Sequence, residues 1–107
     1  MKYKLRTTEG AHPRVLVDFE DNRYDLVGEM LLAERGLLSE MIKSLDCVLK
    51  GKASDSESFA GNAFSLYITR ETTKITNDIN TEETEAPTKA LKKLIKVYKK
   101  HYDRIRH

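Results

Sequence analysis

Residues 59–80, FAGNAFSLYITRETTKITNDIN, decide how the chain is read. Phe64, Leu66 and Ile68 alternate with Ser65, Tyr67 and Thr69, the period-2 pattern of a strand with one buried face. The polar run Glu71-Thr72-Thr73 supplies a short turn, after which Thr73, Ile75, Asn77 and Ile79 alternate again. Two β-rich runs joined by a tight polar break predict an antiparallel hairpin. It falls between two amphipathic helices, at least one of which must cover its apolar face.

Working outward, Leu38, Met41, Ile42, Leu45, Val48 and Leu49 recur at helical spacing, and Gly51 follows where a helix C-cap prefers glycine. Residues 52–58 read as a polar loop, and residues 81–87 as a short acidic connection into the closing helix. In that helix, which Thr88 or Pro87 opens, Leu91, Leu94, Ile95, Tyr98, Tyr102 and Ile105 fall within about 100° of arc. Its lysines and arginines take the other side. Toward the N-terminus, Tyr3 and Leu5 mark a first strand, and Val15, Val17 and Phe19 a second, antiparallel to it. Residues 24–32 read as a third strand, with a bulge or break at Gly28. The expected fold is α+β: one domain over residues 1–107, an antiparallel sheet of about five strands with two helices at its side, order βββαββα. The expected core joins Val15, Val17, Phe19, Leu45, Phe64, Leu66, Ile68, Leu94 and Tyr98.

Composition narrows the class. Hydrophobic residues make up 39% of the 107 and charged residues 34%, a soluble globular balance. No apolar run approaches the roughly 20 residues that span a bilayer. The N-terminal MKYKLRTTEG lacks a signal peptide's apolar centre. A lone cysteine, Cys47, on the polar side of its helix, permits no internal disulfide and points to a reducing cytoplasm.

Charge is unevenly placed. Residues 88–107 hold eight Lys/Arg against one acid, whereas residues 1–87 hold 11 basic and 16 acidic groups. The body is acidic and the tail basic. Asp18, Glu20, Asp21 and Asp25 gather around one turn, and Glu82, Glu83 and Glu85 gather before the closing helix. Such loops suit a protein that engages a basic partner, although solubility alone also favours loop carboxylates. The alternative interaction face is the lysine ridge of the closing helix, with Lys92, Lys93, Lys96 and Lys100, which could track a nucleic-acid backbone.

Catalytic patterns are weak. His12, His101 and His107 are scattered over a Pro-containing loop, an apolar stripe and the last position, so an acid–base pair is not expected. One cysteine and dispersed histidines give no metal-ligand spacing, and the four-carboxylate turn lacks the spacing of a calcium loop. No phosphate-binding glycine loop or nucleophile elbow occurs. The expectation is a non-enzyme without cofactor or metal.

Three motifs, Asp18-Phe19-Glu20-Asp21, Gly28-Glu29-Met30-Leu31 and Gly61-Asn62-Ala63-Phe64-Ser65-Leu66, occur in the order strand end, helix approach, hairpin. Over most of its length the chain resembles the small bacterial immunity proteins of contact-dependent growth inhibition and related polymorphic toxin systems. The resemblance implies a protein that binds a cognate toxin domain, often a nuclease acting on tRNA or DNA, and blocks it inside the producing cell. The lysine-rich closing helix departs from that pattern, in which acids are expected. Against an electropositive nuclease cleft, the acidic residues at 18–25 and 82–85 are the expected contacts.

Overall fold

The structure, a computed structural model, describes residues 1–51 and 55–106. Strands β1 (Tyr3–Thr7) and β2 (Val15–Phe19) pair antiparallel as a two-stranded sheet. A single 3-10 turn at Asn22–Tyr24 leads into α1 (Asp25–Ala33), and a second at Arg35–Leu37 into α2 (Leu38–Leu49). Then β3 (Ser56–Ala60), β4 (Phe64–Thr69), β5 (Thr72–Asn77) and β6 (Glu83–Pro87) build a four-stranded antiparallel sheet in sequential order. Helix α3 (Thr88–Arg106) closes the chain without a linker after β6.

The class is α+β, as the patterns predict, but the elements are distributed differently. Among the described residues there are two sheets rather than one of about five strands, and three α-helices rather than two. Residues 25–33 form a helix, not a third strand. Leu26, Val27, Met30 and Leu31 stand at helical spacing and all four are buried. Gly28 is neither bulge nor break; it lies where α1 crosses β2, and a Cβ there would sit 3.5 Å from the Phe19 ring. Two further strands come from segments expected to be irregular: β3 takes in residues 56–58 of the polar loop, and β6 most of the acidic connection. Residues 52–54 of that loop lie outside the described residues.

The central hairpin is as expected. In β4 and β5, Ile68 stands opposite Thr73 and Leu66 opposite Ile75, with Ile68, Leu66, Ile75 and Phe64 all buried. The turn is tighter than the sequence suggests, because Thr72 and Thr73 already belong to β5 and only Arg70 and Glu71 bridge the strands. The Thr69 hydroxyl locks this turn, donating to the Thr72 carbonyl (2.7 Å) and accepting from the Thr72 amide (3.2 Å). At the other end β5 stops at Asn77, so Ile79 leaves the alternation and stands in solvent.

The helices fill the space between sheet and β1–β2 hairpin. Helix α2 packs on β3, β4 and α3, while α1 and α3 each touch β2, β5 and β6. Of the nine residues expected in the core, Val15, Leu45, Phe64, Leu66, Ile68, Leu94 and Tyr98 are buried; Val17 and Phe19 pack against them half-buried. Tyr98 donates its hydroxyl to the Val15 carbonyl (2.8 Å), tying α3 to β2. Burial pushes that phenol up to about 12. Thr88 anchors the start of α3: its single hydroxyl proton goes to the Thr69 carbonyl (2.6 Å), so the contact to Thr73 (2.9 Å) must be donated by Thr73. As expected, Gly51 ends α2 in the left-handed conformation (φ 63°), its amide bonded to the Val48 carbonyl.

Candidate functional site

The acidic segments, 61 residues apart at their tie point, meet in space. The Thr84 hydroxyl on β6 donates to the Arg23 carbonyl in the 3-10 turn (2.7 Å), which lays the 18–25 turn along the edge of the four-stranded sheet. Local chemistry shapes both partners. Asp21 caps the 3-10 turn through the Arg23 amide (3.0 Å), and its carboxylate pairs with the Arg23 guanidinium (2.9 Å). In the β5–β6 loop, the Asn77 side chain accepts from the Ile79 amide (2.9 Å), and the Asn80 side chain from the Glu82 amide (3.0 Å). Thr81 adopts φ 64°, an uncommon conformation for a β-branched residue. This bracing holds Ile79 outward with 82% of its surface exposed.

The seven acids are not equivalent. Asp18 pairs with Arg6 across the β1–β2 sheet (3.0 Å); the hydrogen bond from Arg6 holds its carboxyl below the usual range. Asp21 is held by Arg23, and Glu83 by Lys74 on the neighbouring strand (3.4 Å). Glu20, Asp25, Glu82 and Glu85 are exposed, and none is ion-paired among the described residues. Glu83 and Glu85 share the outward face of the sheet with Lys74, Tyr67 and a field of Ser and Thr hydroxyls, which no described helix covers.

The lysine ridge also divides. Lys92 pairs with Asp46 of α2 in the groove between the helices. The hydrogen bond from Lys92 holds the Asp46 carboxyl below its usual range against partial burial, with Lys50 and Lys96 adding attraction. Lys93, Lys96 and Lys100 remain exposed, and Lys89 and Arg104 extend them into one stripe. These five fall within about 80° of arc at 100° per residue. Lys99, beside the stripe, is occupied by Asp103 (2.6 Å).

The histidines do not converge. His12 is exposed in the β1–β2 loop, His101 is half-buried on α3 with Nδ1 3.0 Å from the Val97 carbonyl, and His107 lies outside the described residues. Among the described residues, no group of three His, Cys, Asp or Glu is placed to hold a metal ion. Cys47 is half-buried on α2. No described helix is long and apolar enough to cross a membrane.

No protein-family model matches the chain, and neither a curated protein nor a solved structure does. The surface therefore has to be read from its own residues. Thr84, Arg23 and Ile79 were not legible as part of it. Ile79 sits at an inward position of the β5 alternation, and only the loop turn at Asn77 throws it out.

Proposed function

We propose that this protein is an immunity-type inhibitor, which binds a cognate toxin domain in the cytoplasm and blocks it without chemistry of its own. The observation that carries the reading is the bond between Thr84 and Arg23, which sets the acidic 18–25 turn against β6, the strand that bears Glu83 and Glu85. Exposed, unpaired carboxylates on both segments suit a partner with a cationic cleft, and a nuclease cleft is cationic because it must hold phosphates. The order of the three short motifs supports the same class. Glu20, Asp25, Glu82 and Glu85 are the contact carboxylates in this reading; Asp18, Asp21 and Glu83 shape the surface while held by their own cations.

Co-expression with the toxin domain encoded beside the gene tests the proposal. Wild type restores growth and co-purifies with the toxin. Replacing Asp25, Glu82 and Glu85 together with Lys slows association and weakens protection by at least tenfold, since rim charges act chiefly on the encounter rate. A folded triple variant that protects fully removes the carboxylates from the contact; a wild type that neither protects nor co-purifies ends the immunity reading.

The unpaired basic stripe of α3 favours a second reading, a nucleic-acid-binding domain that follows a phosphate backbone with Lys89, Lys93, Lys96, Lys100 and Arg104.

A further inference from the structure

A cleft of about 830 Å³ lies away from both surfaces above. It opens between the β1–β2 loop, the end of α1, the second 3-10 turn and the last turns of α3. Val15, Leu32, Tyr102 and Ile105 give it apolar walls, and Arg14, Arg35 and Arg106 surround them. The volume is that of a small-molecule site.

Three unpaired arginines come together at this cleft. Of the other arginines, Arg6 pairs with Asp18, Arg23 with Asp21 and Arg70 with Asp55, while Arg104 stands exposed on the α3 stripe. Arg14, Arg35 and Arg106 have no acidic partner among the described residues, although two of them are fixed in place. Arg35 donates through Nη1 to the Leu32 carbonyl (2.6 Å), and the Arg106 guanidinium lies 5.4 Å from the centre of the Tyr102 ring. A guanidinium has five N–H donors, so both keep most of theirs for a ligand. Asp103, in the adjoining groove with Arg35 and Arg106, is engaged by Lys99. Among the described residues of the cleft wall, Glu29 is the one carboxylate.

Positioned cations without anions, around an apolar floor, describe a receptor for a molecule of opposite form. We infer that this cleft binds a small ligand with an apolar, ring-sized body and an anionic headgroup, carboxylate or phosphate. The body lies on Tyr102, Leu32 and Ile105, and the headgroup takes bidentate bonds from the guanidiniums, the geometry arginine offers both anions. Glu29 opposes it and tunes the affinity downward.

Titration of ¹⁵N-labelled protein with phenyl phosphate and with 3-phenylpropanoate, followed by amide shifts, tests the inference. Inorganic phosphate and benzyl alcohol, each with half the required chemistry, are the controls. Saturable shifts centred on Leu32, Ala33, Tyr102 and Ile105 are expected with at least one aryl anion, and the tighter of the two identifies the headgroup. Either control should bind about tenfold more weakly, and affinity should fall as sodium chloride rises. Arg14→Ser with Arg106→Ser, both exposed side chains, should lose about tenfold, whereas Glu29→Gln should gain about threefold. The inference is overturned by absent or non-saturable shifts at the cleft with both anions, by benzyl alcohol binding as well as they do, or by salt-independent affinity. It is equally overturned if the arginine variant, with its remaining amide spectrum unchanged, binds like wild type.

Discussion

Glu34 shows how one residue can fix a loop. The residue is 1% exposed and no cation pairs with it among the described residues; its carboxylate accepts instead from the amides of Asn62 (2.8 Å), Ala63 (2.8 Å) and Phe64 (2.9 Å) at the β3–β4 turn. Burial pushes the Glu34 carboxyl up, but the donors at Ala63, Asn62 and Phe64 outweigh it and hold the group below the ordinary 4.5. Gly61 completes the arrangement, because a Cβ there would overlap the carboxylate. The Gly-Asn-Ala motif thus has a structural role: it is the receptor for Glu34. Glu34→Gln should cost about 2–4 kcal/mol at pH 7, measured by urea unfolding, since an amide cannot accept three donors and adds two of its own. A folded-state value below 4.5 means the carboxylate's contribution is whole above pH 4.5 and disappears as pH falls through the lower value. The gap between wild type and Glu34→Gln should therefore narrow on acidification below pH 4.5. A gap unchanged from pH 7 to pH 3 would show that the carboxylate's charge is not what the turn requires.

At the scale of elements, legibility followed burial. Strands β4 and β5 announce themselves because both are central in the sheet and alternate Phe64, Leu66, Ile68 and Ile75 with polar residues. The flanking strands do not: β3 offers Phe59 alone, with Glu57 turned inward opposite Ile68, and β6 offers Ala86. Edge strands take their shape from a partner's backbone, and charged residues on them discourage further pairing. Helix α1 was misread for a different reason. Nine residues give barely two and a half turns of periodicity, and Gly28 looked like punctuation. The candidate surface was half legible, since its carboxylates cluster in sequence while the Thr84 bond that unites them spans 61 residues. The cleft was not legible, because three stretches far apart in sequence, residues 11–15, 29–35 and 102–106, supply its wall.

Helix α3 was the most legible element, and it permits a clean test of the second functional reading. The stripe faces away from Leu91, Leu94, Ile95 and Tyr98, all fully buried, so charge reversal there leaves the packing intact. If the stripe holds nucleic acid, single-stranded RNA is retarded at low salt. Five neutralised phosphates then give a log–log salt slope of about −3.5 on a single strand. Lys93→Glu, Lys96→Glu and Lys100→Glu combined should abolish retardation with helicity unchanged by circular dichroism. No retardation by wild type at 50 mM salt or below would leave the stripe as a solvated face.

Across the whole molecule, three elements run between the same two ends. β2 ends and α1 starts beside the acidic turn, while β2 starts and α1 ends at the arginine cleft. Helix α3 begins directly after acidic β6 and finishes at that same cleft, 19 residues or about 28 Å further on. The formal charge of +2 therefore averages two opposed poles. On ion-exchange media the averaged figure should fail: a patch of either sign, not the net charge, meets the resin. At pH 7 and low salt the protein should be retained on sulfonate beads by one pole and delayed on quaternary-ammonium beads by the other. Charge reversal at Asp25, Glu82 and Glu85 should abolish the second behaviour and strengthen the first, and passage of wild type through the ammonium column without delay would refute the two-pole description.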